Sequence, residues 1–451
     1  MRIQLSDHFT TGKLLRFVAP SIVMMIFTSV YGVVDGLFVS NFVGKTAFAA
    51  VNLIFPLLMI LGALGFMIGT GGSALVARTL GEGDSGRAQR YFSMLVYVTI
   101  GGGIVFSVLG LLFLRPIAVL LGAQGAMLED CVVYGGILLA GQTMFMLQNV
   151  FQSFLITAEK PHFGLGVTVA AGLTNIILDF LFIAVFRWGV AGAAVATLIS
   201  QVLSGFLCLG YVLFRVPALT PSQHDLHPDR ALFRRIFSVS AMTSIQQSIM
   251  NFGILCVQSL VNSFGLAAMA AFTAGVKIDS LAYSPAQDFG NGFTTFVAQN
   301  QGANQPQRLR HGIRTAFLLS GGFSLIVSTL VAIFAEPLLL VFLKNASAES
   351  LSIGVTYLRT EGLCYIGIGF LFLLYAIFRG LEQAGMSIVL TVLSLGLRVV
   401  LSYAFAPHFG MMAIWLAIPA GWLIADIVGF VAMGRRGLIR SASNKTGKSA
   451  C

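Results

Sequence analysis

The chain has 451 residues, of which 57% are hydrophobic and only 10% are charged. Because soluble globular proteins carry about 25% charged residues, this composition argues against a soluble fold and indicates an integral membrane protein. The formal net charge of +10 could suit a nucleic-acid-binding protein, but no basic stripe interleaves with exposed aromatic residues. We therefore expect membrane lipid, and no nucleic acid, as a partner.

Twelve apolar segments are long enough to cross a bilayer, since a helical span needs about 20 residues. The sequence therefore predicts an all-α fold with spans near 15–38, 50–77, 93–114, 131–157, 164–186, 190–213, 237–262, 268–299, 315–335, 350–378, 385–406 and 411–433. An even number of spans places both termini on one side, where most of the 27 Lys and Arg residues lie. The positive-inside rule then predicts cytoplasmic termini, and we expect a multi-pass protein of the bacterial inner membrane.

The first span contains one charged residue. Asp35 is the only formal charge between Arg16 and Lys45. A carboxylate in a span costs about 2.5–3.5 kcal/mol on the insertion scale, and such acids often mark ion or proton paths. The sequence therefore indicates a functional acid at Asp35, with an acid that reaches the outer interface as the alternative.

The fifth span also contains one charge. Asp179 is the only charged residue between Gly164 and Phe186, and Asn175 lies four positions earlier on the same helix face. Thr197 enters the sixth span at a similar depth, roughly 10 Å from the outer end at 1.5 Å per residue. Burial and a neighbouring like charge both favour a protonated carboxyl group. We predict a proton-binding cluster, with interhelical hydrogen bonding or a structural charge pair as alternatives.

The chain is duplicated. Three pairs of matching residues are each 221 positions apart, namely Gly81 with Gly302, Pro116 with Pro337, and Gly189 with Gly410. Six spans in each half keep both halves in the same orientation, so they should form two six-helix lobes related by a pseudo-two-fold axis along the membrane normal. The predicted domains are an N-terminal lobe, a cytoplasmic linker, a C-terminal lobe and a polar cytoplasmic tail, at 1–213, 214–236, 237–435 and 436–451.

The second half contains several charges within its spans, namely Lys277, Asp279, Asp288, Arg398 and Asp426. One interpretation is a buried charge network that stabilises the lobe. The other is a second ion or substrate site formed by Lys277, Asp288 and Arg398, with Asp288 as its acid.

Four motifs resemble one transporter family. They are Pro20-Ser21-Ile22, Val34-Asp35-Gly36, Gly81-Glu82-Gly83-Asp84 and the Asn175-x-x-x-Asp179 spacing. Together they resemble the multidrug and toxic compound extrusion (MATE) family, and within it the DinF-like and MepA-like branch. The resemblance extends over both lobes and is strongest in the first.

The resemblance implies a secondary active efflux transporter that exchanges cationic, often aromatic drugs for H⁺, or for Na⁺, by alternating access. It implies that Asp35, Asn175, Asp179 and Thr197 bind the coupling cation, and that Pro20 is a hinge in the first helix. We expect a monomer whose partners are small organic cations and lipid, with no cofactor besides the coupling ion and no bound metal cofactor.

The sequence departs from the NorM-like branch of that family, which has acids in its seventh and tenth spans. Here the seventh span contains Gln246 and Gln247 instead of an acid, and Glu361 lies near the outer end of the tenth. A sodium site of the NorM type is therefore in doubt.

Two further functions are alternatives to drug efflux. A lipid-linked oligosaccharide flippase needs a strongly cationic cavity for pyrophosphate, whereas the first lobe is acidic inside; Lys277 and Arg398 keep this alternative open. A membrane-embedded enzyme needs nucleophile or metal motifs, and the sequence has neither HExxH nor CxxC. We expect the protein not to be an enzyme.

Overall fold

The computed structural model describes residues 38–158, 160–215, 230–343 and 347–438, and positions 19, 20, 23, 24, 27 and 34–36 before them. Every regular element of this described part is helical, as the sequence predicts. Of the predicted first span, only the scattered positions above are described, and all of them are helical. Most of the predicted linker, from 216 to 229, and the predicted tail beyond 438 lie outside the described residues.

The helices follow the predicted spans closely. The first half contains a π-helical segment π1 (Val39–Val43), then α1 (Lys45–Gly81), α2 (Ser85–Leu120), α3 (Ala126–Ala140), α4 (Gln142–Thr157), α5 (Pro161–Asp179), a second π-helical segment π2 (Phe180–Val185) and α6 (Gly189–Arg215). The second half contains α7 (Arg230–Asn262), α8 (Leu266–Gly302), α9 (Pro306–Ile333), α10 (Ala335–Phe342), α11 (Ala348–Gly362), α12 (Tyr365–Gly380), α13 (Ala384–Phe409) and α14 (Met411–Arg435).

Two predicted spans consist of bent helix pairs. The angle is 53° between α3 and α4 and 52° between α11 and α12. These are the fourth and the tenth spans, so the same break recurs in both halves of the duplicated chain. At the first break, a Cβ atom on Gly141 would lie 2.0 Å from Cδ1 of Leu198, so the absent side chain lets α6 approach closely.

Hydropathy alone identifies only some of the spans. Within the described residues, seven helices are long and apolar enough to cross a membrane, and nine if each bent pair is one span. The remaining two long helices, α7 and α8, are less apolar because they carry polar side chains such as Gln246, Lys277 and Asp288. With these two, eleven of the twelve predicted spans are helices within the described residues, and the first, near 15–38, is described only at scattered positions. This matches the predicted all-α fold with six spans in each half.

Several helices extend beyond the predicted spans. The helix α2 begins at Ser85, where the sequence predicts a span from 93, and α7 begins at Arg230, inside the predicted linker. Both extensions contain Arg and Ala, which are good helix formers, so a helix need not end where the lipid does. At the start of α2, the Asp84 side chain accepts a hydrogen bond of 2.8 Å from the backbone N–H of Arg87 and caps the helix.

The chain forms two compact units. The first contains the residues up to Ile245 together with Thr294–Ala303, and the second contains Gln246–Phe293 and the residues from Asn304 onward. Within the first unit, the last turns of α8 pack against the end of α1. A Cβ atom on Gly81 would lie 2.1 Å from the carbonyl oxygen of Gln299, so only glycine allows this approach.

A hydrophobic core in the first unit surrounds the ends of its π-helical segments. Its buried members include Val39 of π1, Ile183 of π2, Ile54 of α1, Leu138 of α3 and Ala194 of α6. This core includes residues of π1 and π2, the segments that follow Asp35 and Asp179 in the chain.

Candidate functional site

The structure brings the two predicted acids of the first unit together. Asp179 ends α5 and has no solvent-exposed surface, and Asp35 is half-buried in the helical residues 34–36. Their carboxyl groups lie within reach of a side-chain hydrogen bond. Ionised carboxylates only accept hydrogen bonds, so this pair needs a proton on one member before the bond can form.

The other two predicted residues form a second contact at the same site. The Asn175 side-chain Nδ2 donates a long hydrogen bond of 3.4 Å to Oγ1 of Thr197, which joins α5 to α6. Asn175 lies one helical turn before Asp179 on α5. All four predicted residues of the coupling site therefore belong to one local cluster in the first unit.

This cluster contains more acceptors than donors. Among the described residues, Oδ1 of Asp35, Oδ1 of Asn175 and both carboxyl oxygens of Asp179 are buried without a hydrogen-bond partner. A buried unsatisfied polar group costs about 1–3 kcal/mol. The arrangement is therefore chemically suited to taking up a proton or a small cation, which would supply the missing positive charge.

No basic side chain of the described residues acts on the carboxyl groups of Asp35 or Asp179; the electrostatic partner of each is the other. A buried charge without a counter-charge is strongly unfavourable. Among the described residues no side chain supplies a compensating cation, so an ion from solution could fill this role.

Tyr134 of α3 is a site residue that the sequence did not indicate. Its ring is buried, and its hydroxyl group interacts electrostatically with both Asp35 and Asp179. A tyrosine in an apolar span usually packs in the core. The signal that could have indicated a place in the site is its hydroxyl group, which needs a polar partner when buried.

Both acids lie beside a change in helical geometry. Asp179 is the last residue before π2, Asp35 lies four residues before π1, and the two π-helical segments contact each other. Short π-helical segments inside α-helices are frequent at functional sites, because they redirect the side chains around them. Here they place the two carboxyl groups on facing surfaces.

Pro20 is buried and helical, but residues 21 and 22 lie outside the described part. Its role as a hinge stays a prediction.

In the second unit, the structure does not bring Lys277, Asp288 and Arg398 together. Lys277 is exposed on α8. Asp288 accepts a hydrogen bond of 3.4 Å from Asn291, whose side-chain oxygen accepts one of 3.0 Å from Nη2 of Arg379. The eleven-residue spacing of Lys277 and Asp288 gives them similar directions on the helix, but their surroundings differ.

Arg398 lies instead in a different cluster. It lines a cavity of about 70 Å³ together with Asp279 and Glu361. Asp279 accepts hydrogen bonds from the hydroxyl groups of Tyr357 and Tyr365. The sequence pattern indicates the three charged residues but not the tyrosines. A spacing of four positions, as on one helical face, does relate Tyr357, Glu361 and Tyr365.

The described residues contain no group of three or more His, Cys, Asp or Glu side chains that could hold a metal ion. Both clusters are instead built from carboxyl, amide and hydroxyl groups.

Comparison with known proteins identifies relatives over most of the chain. A family model described as MatE matches residues 20–181 and 241–404. A FAD transporter of Shewanella oneidensis is 27% identical over 73% of this chain and 74% of its own length. The probable multidrug resistance protein YoeA of Bacillus subtilis is 24% identical over 91% of this chain and 90% of its own. The multidrug export protein MepA of Staphylococcus haemolyticus is 23% identical over 80% of this chain and 79% of its own.

Solved structures with the same fold cover nearly the whole chain. A MOP superfamily transporter from Pyrococcus furiosus, described as having a binding pocket of reverse polarity that suggests a different function, superposes with a TM-score of 0.90 at 26% identity, over 98% of this chain and 99% of that one. A crystal structure of MATE in complex with MaL6 superposes with a TM-score of 0.88 at 26% identity, over 97% and 98% of the two chains.

Proposed function

Since the chain belongs to the MatE family, we propose that it is a secondary active transporter that exports small organic cations in exchange for protons. The coupling site is the cluster of Asp35, Asn175, Asp179 and Thr197. The observation that carries this proposal is the facing pair of carboxyl groups, in a cluster that has four unsatisfied acceptor atoms and, among the described residues, no basic side chain acting on the pair.

The geometry supports exchange because two carboxyl groups face each other and no described basic side chain acts on them. A proton shared between Asp35 and Asp179 supplies the missing donor and neutralises one of the two charges. Return of that proton to the cytoplasm restores the negative charge. An exchange cycle results if the loaded and the unloaded cluster stabilise different conformations, because a ligand shifts an equilibrium only by its differential affinity for the two states.

A sodium ion is the competing coupling ion. Carboxylate, amide and hydroxyl oxygens also coordinate hard cations, and the cluster offers each of these groups. A proton is favoured by the direct approach of the two carboxyl groups, because one proton satisfies both of them in a single hydrogen bond.

The substrate class rests on relatives and on charge. MepA of Staphylococcus haemolyticus is a multidrug export protein, and the acidic interior of the first unit suits a cationic substrate. The relative described as a FAD transporter makes an anionic flavin nucleotide the alternative cargo. The lipid-linked oligosaccharide flippase is not favoured.

We also place the protein in the bacterial inner membrane as a monomer surrounded by lipid, with both termini in the cytoplasm. The basis is the excess of Lys and Arg in the loops on the side of the termini. Labelling of single cysteines near either end, in intact and in opened cells, tests the orientation.

The test of function is transport in proteoliposomes. We expect an imposed pH gradient to drive uptake of ethidium, a fluorescent organic cation, by the wild-type protein, and a sodium gradient at constant pH to drive none. Asp35→Asn and Asp179→Asn should each abolish the coupled component. The matched control is Asp130→Asn, which removes a carboxylate from α3 of the same unit, outside the cluster.

Coupled transport at wild-type rates in both variants would exclude the proposed site. Transport driven by sodium alone would exclude proton coupling, and pH-driven transport of a flavin nucleotide but not of ethidium would replace the substrate class.

A further inference from the structure

The second unit contains its own pair of carboxyl groups. Asp279 of α8 and Glu361 of α11 are both buried and lie within reach of a side-chain hydrogen bond. Both line the cavity of about 70 Å³. A cavity of this size has room for a few water molecules or a small ion.

This second pair is not a copy of the first. At the spacing of 221 residues, Asp279 matches Leu58, and at a spacing of 223 residues, Glu361 matches Leu138; both leucines are buried. Conversely, the residue 223 positions after Asp179 is Ser402. The two carboxyl pairs therefore arose on different helices of a common scaffold.

The surroundings of the two pairs nevertheless correspond at two positions. Tyr134 and Tyr357, and likewise Asn175 and Arg398, are 223 residues apart. Asn175 and Arg398 lie on α5 and α13. These helices begin at residues 161 and 384, which are also 223 apart. Arg398 thus occupies the position that the Asn175 amide occupies in the first unit.

Arg398 supplies the positive charge that the first cluster lacks. It is buried, its attraction acts on both Asp279 and Glu361, and its Nε has no hydrogen-bond partner among the described residues. A guanidinium group stays protonated in proteins. If the two carboxyl groups share one proton, the guanidinium balances the remaining negative charge and the cluster is neutral without an ion from solution.

We propose that Arg398 is a built-in counter-cation. In the second unit it balances the charge that an exchangeable cation balances in the first. It keeps the Asp279–Glu361 pair permanently neutralised, so this pair neither loads nor releases a coupling ion. Arg398 is thereby a specificity-determining residue that confines ion coupling to the first unit. This inference rests on the proposed function, since it explains why only one of two carboxyl pairs exchanges ions.

The ionisable groups around this pair come from four helices. They are Asp279 and Tyr283 on α8, Tyr357 and Glu361 on α11, Tyr365 and Tyr375 on α12 and Arg398 on α13. Arg398 is the basic member of this set, so its removal leaves the two acids without a counter-charge.

The experiment counts cations bound to the purified full-length protein. It uses the Asp35→Asn/Asp179→Asn background, in which the first cluster cannot contribute. Radioactive sodium counts bound sodium at mildly alkaline pH, and a pH indicator counts protons taken up on mild acidification. Trp422 lines the cavity, so its fluorescence reports whether a bound ion occupies the second unit.

In this background we expect no bound cation. Arg398→Gln should create a site for one cation, either a sodium ion or a proton. Glu361→Gln added to Arg398→Gln should abolish that new site. Arg398→Lys should bind no cation, because the lysine keeps a positive charge at this position. The matched control is Lys277→Gln, which removes an exposed positive charge two residues from Asp279 and should bind none.

Two results would overturn the inference. One is a cation bound in the background protein and lost on Glu361→Gln, which would make the second pair an ordinary ion site. The other is a folded Arg398→Gln variant that gains neither sodium nor a proton, which would make Arg398 purely structural. If Arg398→Gln does not fold, Arg398→Met, which keeps the length of the side chain without its charge, takes its place in the same counts.

These counts do not depend on transport. Failure of the proposed function would show in the ethidium assay, whereas failure of this inference would show only in the number of bound cations.

Discussion

Replacing Gly81 by alanine should destabilise the first unit. A Cβ atom at this position would lie 2.1 Å from the carbonyl oxygen of Gln299 and 3.0 Å from the backbone nitrogen of Ala303. Both atoms belong to the backbone of the α8 end, so no side-chain rotation relieves the overlap and the helices must move apart. Forcing an extra carbon into a well-packed contact costs about 1–3 kcal/mol.

The repeat supplies a second test of the same contact. Gly302, which matches Gly81, would place its Cβ atom 2.1 Å from the carbonyl oxygen of Arg78. Gly302→Ala should therefore cost a similar amount, about 1–3 kcal/mol. Because both substitutions separate the same two helix ends, the double variant should lose less than the sum of the two.

The assay is the thermal unfolding midpoint of purified protein in detergent. Gly101→Ala on α2 is the matched control, because a Cβ atom there meets nothing within 4 Å, and the better helix propensity of alanine should stabilise that variant by up to about 1 kcal/mol. Midpoints for Gly81→Ala and Gly302→Ala equal to that of Gly101→Ala would refute the reasoning.

Two further substitutions test the polar clusters. Thr197→Val removes the acceptor of the Asn175 amide. Because one hydrogen bond contributes about 0.5–1.5 kcal/mol, this variant should bind the coupling ion about two- to twelve-fold more weakly. The ion concentration for half-maximal transport measures the binding, and Thr174→Val, whose hydroxyl bonds within its own helix, should leave that concentration unchanged. Tyr365→Phe removes a hydroxyl donor from buried Asp279 and should lower stability by about 1–3 kcal/mol; an unchanged unfolding midpoint would contradict the assigned hydrogen bond.

The sequence predicted the first cluster because its physical basis is local. Asp35 and Asp179 are single charges in otherwise uncharged spans, and counting residues from the span ends gave similar depths for Asp179 and Thr197. Their side chains do meet in the structure. Tyr134 was missed because its proximity depends on how α3 packs, which no residue pattern along α3 reveals.

The second cluster shows where sequence reasoning fails. One of the two interpretations placed Lys277, Asp288 and Arg398 in one site, yet Lys277 is exposed and Asp288 is joined through Asn291 to Arg379. Periodicity gives the direction of a side chain on its own helix, but not which neighbouring helix lies in that direction. The cluster around Asp279 depends on the packing of four helices, which the sequence does not specify directly.

The boundaries of the helices were missed for a different reason. The start of α7 at Arg230 was predicted as linker because charged residues suggest solvent. The edge of the lipid and the end of a helix are separate boundaries, since a helix satisfies its backbone by internal hydrogen bonds and can therefore continue from lipid into water.

The central claim is that Asp35 and Asp179 hold the proton that is exchanged for substrate. Its most direct test is the release of protons when ethidium is added to purified protein in weakly buffered detergent solution. The wild-type protein and Asp130→Asn should release protons in proportion to bound ethidium, whereas Asp35→Asn and Asp179→Asn should release none. Equal release from all four proteins, or ethidium binding to the wild type without any release, would contradict the account.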